Sequence, residues 1–380
     1  MRVLFSFIGG VGHFYPLAPV ARTMADAGHE VAVAGSGGQV RRIEEAGFRA
    51  LPTSDVAPAA AKPVVERVAG PLEPTDRWAA EVEFAENFAT KGARRHAAAV
   101  LTHIEAWRPD IVVRDEADFG AAIAAEAAGL PSATVLVLAA GTLIRPDLVT
   151  APLEALRAEY GLTPDPELRR ALGDAVLAPM PPSFRSPRSP LRLPESTLWF
   201  RPGDRVAPPA SRCRPRVYAT LGTVFGAESG DLFERLLRGL AQVDADVLLT
   251  VGWGTDPALF GPQPDHIRIE HFVPQDEVLH ETDVVVTHGG SGSLMAALAH
   301  GIPSVLLPLG ADQPHNAERA AELGVARVLD AATATADEIR DSIEASLNDE
   351  VMRGRAAAVA REFGDLPAPE ATVAFLEGVL

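Results

Sequence analysis

Residues Val284–Pro308 read VVVTHGGSGSLMAALAHGIPSVLLP. An apolar, β-branched run ends in the turn His288-Gly289-Gly290-Ser291-Gly292-Ser293, a segment with helical composition follows, and PSVLLP is a second strand-like run. Strand, turn, helix and strand make a βαβ unit. Glycines at such a turn let backbone N–H groups approach a ligand without a Cβ in the way, and the helix start adds partial positive charge, which suits phosphate. Two common phosphate signatures do not fit. The turn lacks the Gly-Lys-Ser/Thr ending of a P-loop, and Met295 stands where a dinucleotide fingerprint needs its third glycine. The glycines alone also suit a tight βα corner with no ligand.

The same alternation extends to both sides. From Arg216 it runs RVYATLG, a helix from about Asp231 to Gln242, DVLLTVG, HIRIEHF, the quoted unit and VARVLD. In the first half, Arg2–Ile8, a helically spaced Pro16–Ala27 and Glu30–Ala34 form one βαβ unit; Asp110–Val113, a helix to about Ala128, and Ser132–Leu138 form another. Such alternation predicts parallel sheets covered on both faces. Pro179–Pro215 is rich in Pro, Arg and Ser and reads as irregular structure ending in a linker at about residues 200–215. The boundary is placed near Arg212, giving domains 1–211 and 212–380. Leu51–Leu72 lacks a stable period and reads as a loop or broken helix. Thr335 and Glu338 form a capping-box signature followed by Ile339, Ile343 and Leu347, so a helix begins there. After Pro367, PEATVAFLEGVL reads as a separate last helix, which can pack back on the first half.

With 380 residues and 47% hydrophobic content, the chain can fill two cores. Lys plus Arg number 34 against 51 Asp plus Glu, a net charge of −17 that disfavours nucleic acid and anionic membranes as partners. Cys213 is the single cysteine, so no internal disulfide forms and a reducing cytoplasm fits. The start, MRVLFSFIGGVGH, reads as a first strand, not a signal peptide. No apolar segment approaches the roughly 20 residues that span a bilayer. A soluble, cytoplasmic protein is expected. The sequence does not fix the oligomeric state, and a homodimer is compatible with it.

Two α/β halves, Gly12-His13 after the first strand, and the ordered block from His288 through GIPSVLLPLGADQPHNAERAAELGVA resemble the inverting GT-B glycosyltransferases over nearly the full length. The likeness is strongest to bacterial enzymes that glycosylate natural products such as antibiotics and polyketides. It implies two Rossmann-like domains with parallel sheets facing across a cleft, the first binding an acceptor and the second a nucleotide-sugar. The donor diphosphate would lie on His288, Gly289, Gly290, Ser291, Gly292 and Ser293. Gly222 and Thr223 match the family's Gly-Thr turn at the donor phosphates, and Phe272 and Val273 its base-binding segment, although a lone Phe after a strand also suits a core. Asp312 and Gln313 match the pair that holds sugar hydroxyls; with Pro314 next, helix N-capping is their alternative. Neither metal nor cofactor is implied: the helix start and its amides would stabilise the departing diphosphate, and no Asp-x-Asp motif occurs. UDP-sugar enzymes of the family usually carry a glutamate, bonded to the ribose hydroxyls, where this chain has Ala296. A dTDP-deoxysugar is therefore expected over a UDP-sugar.

On the acceptor side the resemblance makes His13 the general base, and an imidazole near its ordinary pKa of about 6.5 can take a hydroxyl proton at neutral pH. Asp115, with Glu116 and Asp118 as near alternatives, would orient it, though an Asp after a strand is commonly a helix cap. Gly12 and Phe14 are placed at the acceptor, and the apolar segments Leu51–Leu72 and Leu136–Ile144 suggest a sizeable apolar aglycone. The function implied is inverting transfer of a deoxysugar from dTDP to an aglycone hydroxyl. A nucleotide-sugar epimerase of the same fold and a non-catalytic partner protein are the alternatives. An NAD oxidoreductase is disfavoured because Tyr15 spoils the first glycine cluster and no acid ends Val33–Gly35.

Overall fold

The computed structural model describes residues 1–56, 70–74, 76–204, 214–222 and 229–380. Arg212, Cys213, Thr223 and most of Leu51–Leu72 lie outside them. The chain gathers into two compact units, one of Met1–Ala59, Trp78–Asp204 and Leu366–Leu380, the other of Ala60–Arg77 and Arg205–Asp365. Each unit is thus assembled from more than one stretch of chain.

The first unit is built on seven parallel strands: β1 (Arg2–Ser6), β2 (Glu30–Gly35), β3 (Arg49–Pro52), β4 (Ile111–Asp115), β5 (Ser132–Val135), β6 (Ala175–Ala178) and β7 (Leu198–Trp199). Their order is β3-β2-β1-β4-β5-β6-β7. The continuous apolar runs explain the parallel sheet. Val3, Leu4 and Phe5 on β1 and Ile111, Val112 and Val113 on β4 are all fully buried, so both faces must be covered. Helix Leu17–Asp26 supplies part of the cover through Leu17, Val20, Ala21 and Met24. The last helix, Ala371–Glu377, belongs to this unit and buries Thr372 and Leu376, with Thr372 Oγ1 3.2 Å from Thr23 Oγ1.

The second unit carries six parallel strands: β8 (Arg216–Thr220), β9 (Asp246–Thr250), β10 (Ile267–Glu270), β11 (Val284–Thr287), β12 (Ser304–Leu306) and β13 (Ala326–Val328), in the order β10-β9-β8-β11-β12-β13. Helix Leu232–Leu240 packs Leu232, Phe233, Leu236 and Leu240 into a core with Val217, Val247, Val286, Ile339 and Ile343. The capping box forms as its sequence predicts: Glu338 N donates to Thr335 Oγ1 at 3.2 Å, and Thr335 N to Glu338 Oε2 at 2.8 Å.

Two strand expectations need correction. The run Ser132–Leu138 stays extended in the sheet only to Val135, because the N–H groups of Val137 and Leu138 turn to the Glu116 carboxylate instead of a neighbouring strand. Within the Pro-rich region expected to be irregular, Leu198–Trp199 forms a short edge strand on β6.

In both sheets the chain winds outward from the central strand and then returns to its other side, so that β1 adjoins β4 and β8 adjoins β11. At such a switch point the connections leave in opposite directions and open a crevice beyond the carboxyl ends of the strands.

Candidate functional site

The glycine turn sits at the switch point of the second unit. Helix Ser291–Ala299 starts directly after it, with Gly290 as N-cap and no side chain capping the first N–H groups. Neighbouring strand β8 ends at Thr220, and Gly222, two residues on, has a φ of +76°. The His288 ring lies between the two glycines: a Cβ on Gly222 would stand 2.7 Å from its Cε1, and one on Gly290 2.7 Å from its Nε2. Both residues must therefore lack a side chain for the imidazole to occupy this place. Gly292 differs, because a Cβ there would meet nothing within 4 Å. Among the described residues nothing demands glycine at 292, and they leave that space beside the helix start unfilled. Thr287 Oγ1 lies 3.1 Å from His288 Nδ1. Burial holds the His288 pKa down at about 4, so the ring is neutral at physiological pH.

The Asp312-Gln313 loop is joined to this turn by a residue that sequence reasoning did not single out. Asn316 is fully buried, and its Nδ2, with two hydrogens to donate, lies 3.0 Å from Gly289 O, 3.1 Å from Ser291 Oγ and 2.8 Å from Asp312 Oδ2. Ser291 Oγ also donates to Asp312 Oδ2 at 2.6 Å. The Asp312 side chain does not cap helix Gln313–Leu323, so the capping alternative is not what its carboxylate does. Gln313 is 2% exposed, and its side-chain carbonyl accepts from the N–H groups of Leu309 and Gly310, which curls the loop and commits that oxygen internally. Ala311 takes a positive φ of 51°, uncommon for a residue with a Cβ and a mark of a constrained loop. Ser293 Oγ accepts from Gln275 Nε2 at 3.1 Å.

Phe272 is 46% exposed and is not a core residue. It stacks on Trp253, 70% exposed, with ring centroids 5.9 Å apart. Val273 packs inward beside the buried Tyr218, Leu248 and Val285. Trp253 was not singled out in the sequence, although a tryptophan among the glycines of GWG following β9 is a visible signal for an exposed flat surface.

In the first unit, β1 leads through Gly9 and Gly10 into the short turn Val11–Phe14, and His13 Nδ1 comes within 3.3 Å of Asp115 Oδ1 at the end of neighbouring β4. Asp115 is fully buried and is held by the N–H groups of Ile8 at 2.8 Å and Ala117 at 2.6 Å. Among the described residues, a Cβ on Gly10 or on Gly12 would meet nothing within 4 Å. The alternatives to Asp115 have other duties. Glu116 pairs with Arg185 at 2.6 Å beneath the Leu136–Ile144 segment, and Arg185 Nη1 donates to Leu138 O. Asp118 caps helix Phe119–Ala127 and bonds Ser6 Oγ and His96 Nδ1 at 2.7 and 2.9 Å. Phe14, expected at the acceptor, is 2% exposed and packs on Phe7, so it is part of the core; Tyr15, 57% exposed, is the ring that this turn presents outward.

The buried Asp118–His96 pair supports the floor of this site. Burial works against the charge on His96, but the charge and hydrogen bond of Asp118 outweigh it and raise the His96 pKa above the ordinary 6.5. For Asp118 burial likewise pushes up, and His96, Ser6 and Ala121 together pull its pKa below the ordinary 3.8. The stabilisation from His96 is fully present below 6.5 and is lost as pH rises through the raised value; that from Asp118 is present above 3.8 and lost as pH falls through the lowered one. H96L, which strands the carboxylate, is expected to lose about 3 kcal/mol in urea unfolding at pH 6, with a smaller difference from wild type at pH 9.

Among the described residues no group of three His, Cys, Asp or Glu is arranged to hold a metal ion. No helix among them is long and apolar enough to cross a membrane.

The family model "Erythromycin biosynthesis protein CIII-like, C-terminal domain" matches residues 234–379. The L-demethylnoviosyl transferase of Streptomyces niveus is 30% identical over 339 residues, covering 85% of this chain and 84% of the relative. The elloramycin glycosyltransferase ElmGT of Streptomyces olivaceus is 30% identical over 389 residues, covering 97% and 95%. Among solved structures, glycosyltransferase VinC in complex with dTDP matches 100% of this chain and 99% of its own with a TM-score of 0.77 at 26% identity.

Proposed function

The chain belongs to the natural-product glycosyltransferases of GT-B fold, and from that membership we propose that it moves a deoxysugar from a dTDP-sugar to a hydroxyl of an apolar aglycone with inversion, His13 acting as general base. The observation that carries this reading is the pairing of His13 with the buried Asp115 at the switch point of the first sheet. A carboxylate beside Nδ1 favours the tautomer with its proton there and leaves the Nε2 lone pair to accept another; it also stabilises the imidazolium that results. The acceptor oxygen, losing its proton to Nε2, attacks the anomeric carbon as the bond to the diphosphate oxygen breaks. A single displacement inverts the configuration.

The leaving diphosphate is assigned to the turn at Gly290–Ser293. The start of helix Ser291–Ala299 offers uncapped N–H groups and a partial positive charge, and the space beside Gly292 gives phosphate oxygens access to them. His288 enters as a neutral hydrogen-bond donor, in the tautomer whose Nδ1 accepts from the Thr287 hydroxyl and whose Nε2 carries the proton; the 3.1 Å contact between Thr287 Oγ1 and Nδ1 is compatible with it. Charge developing on the leaving group is thus met by groups already oriented toward it. Asp312 is assigned to the sugar hydroxyls, with Gln313 contributing its amide N–H₂ because its carbonyl is engaged within the loop.

Two facts support the thymidine nucleotide. Ala296 puts a methyl group where an acid would be needed to hold a ribose 2′-hydroxyl, and VinC, similar over its full length, was solved with dTDP. Turnover measured with dTDP-glucose and UDP-glucose on one acceptor tests this. A preference for the dTDP-sugar of about tenfold or more is expected, the size of one charge-assisted hydrogen bond that the chain does not offer to the 2′-hydroxyl. A preference for UDP-glucose would overturn the assignment.

A further inference from the structure

The turn that carries His13 is overlaid by a segment that the proposed mechanism does not use. Helix Arg77–Phe84 does not continue regularly into helix Lys91–Trp107; residues Ala85–Thr90 form a π-helical turn, and Thr90 Oγ1 donates to Ala85 O at 3.2 Å. Two residues later, Gly92 has no room for a side chain. A Cβ there would overlap the Asn87 carbonyl and approach Ile8 Cδ1 to 2.9 Å. The widened turn depends on that vacancy, and such turns are uncommon enough to call for a reason.

The reason lies in where Phe88 ends up. Its ring stacks on the His13 imidazole with centroids 5.4 Å apart and planes 21° from parallel, and Phe84 backs it at 4.7 Å and 18°. Gly9, at φ +103°, completes the arrangement: a Cβ there would stand 3.0 Å from His13 Cδ2, 3.2 Å from Nε2 and 3.5 Å from Phe88 Cε1. Glycine at this position puts no Cβ against the Nε2 edge, while Phe88 covers the ring face.

The contact between Asp115 and the imidazole is long. The Nδ1···Oδ1 separation of 3.3 Å is beyond the usual 2.7–3.2 Å. Rotation about the bond to a flat ring also has broad minima, so a long contact at the Nδ1 edge does little to set the tilt of the ring. An aromatic face in contact removes that freedom. From this geometry we infer that Phe88 is a positioning residue for His13, set by the π-turn and Gly92 so that its ring fixes the tilt of the imidazole. The inference rests on the reading of His13 as base.

Phe88→Leu and Phe88→Tyr, each beside His13→Ala, test it. The first measurement needs no substrate: in protein labelled at histidine, the ring protons of His13 are displaced by the ring current of Phe88 in wild type and in F88Y, and move toward unperturbed positions in F88L. The second is turnover from dTDP-glucose on whichever of a panel of apolar alcohols and phenols the wild type glycosylates. F88L is expected to lower kcat about tenfold with KM for the acceptor within twofold, and F88Y to recover most of the loss, because misplacement of a reacting group by a fraction of an ångström acts on the chemical step. An F88L kcat within twofold of wild type, while H13A is inactive, would overturn the positioning role alone. A raised KM with unchanged kcat would make Phe88 a wall of the acceptor site instead. Full activity of H13A would remove the base and this inference together.

Discussion

His13→Ala is expected to leave the dissociation constant for dTDP within about twofold of wild type and to lower transfer to an alcohol acceptor by roughly 10²–10⁴-fold, the range attributable to a positioned general base. Isothermal titration with dTDP and initial rates with a fixed acceptor make the two measurements. The separation is expected because the groups assigned to the diphosphate, His288 and residues 290–293, all belong to the second unit, whereas His13 and Asp115 belong to the first. Asp115→Asn is the informative companion. Asp115 also accepts from the N–H groups of Ile8 and Ala117, so its full removal would unravel the turn carrying His13. Those bonds go to different carboxylate oxygens, Ile8 to Oδ2 and Ala117 to Oδ1, so asparagine keeps one acceptor, sets its N–H₂ against the other donor and removes the charge that stabilises the imidazolium; turnover should fall more than tenfold with a lowered unfolding midpoint. Undiminished turnover by H13A would place the base elsewhere in the chain.

The division between what the sequence discloses and what it hides follows from how local each determinant is. The βαβ unit at Val284–Pro308 is legible because strand, glycine turn and helix are consecutive, and the capping box at Thr335 because its two partners are three residues apart. The choice among Asp115, Glu116 and Asp118 is not local. Successive residues on a tight turn point in different directions, and their partners, His13, Arg185 and His96, come from distant parts of the chain. Phe14 and Tyr15 pose the same difficulty: both are aromatic, and only contact with Phe7 decides that the first is buried and the second exposed. The π-turn at Ala85–Thr90 leaves almost no trace, since one extra residue barely alters helical periodicity, and Gly92 inside a helix otherwise reads as a mild defect. Asn316 is hidden for a related reason. It lies within the helical part of the block that resembles the nucleotide-sugar signature, yet its work of joining Gly289, Ser291 and Asp312 depends on how that helix meets the glycine turn.

The glycines of the donor turn should separate by consequence when each is replaced by alanine. Gly290→Ala places a methyl group 2.7 Å from His288 Nε2, closer than any tolerated contact, so the imidazole must leave its position or the turn must shift. Overpacking of this kind costs about 1–3 kcal/mol, and G290A should show both a lowered unfolding midpoint and lost dTDP affinity. Gly292→Ala makes no such demand. Among the described residues its Cβ meets nothing within 4 Å beyond its own helix backbone, and residue 292 already lies in a helix, where alanine is favoured over glycine. G292A should therefore unfold at an equal or slightly higher urea concentration while binding dTDP at least tenfold more weakly, because the methyl group occupies the place assigned to phosphate oxygens and denies them the N–H groups of the helix start. Stability and affinity moving in opposite directions is the signature of a glycine kept for its ligand and not for its fold. If G292A bound dTDP as tightly as wild type, the diphosphate would have to lie away from the helix start, and the assignment of the leaving-group site would fail with it.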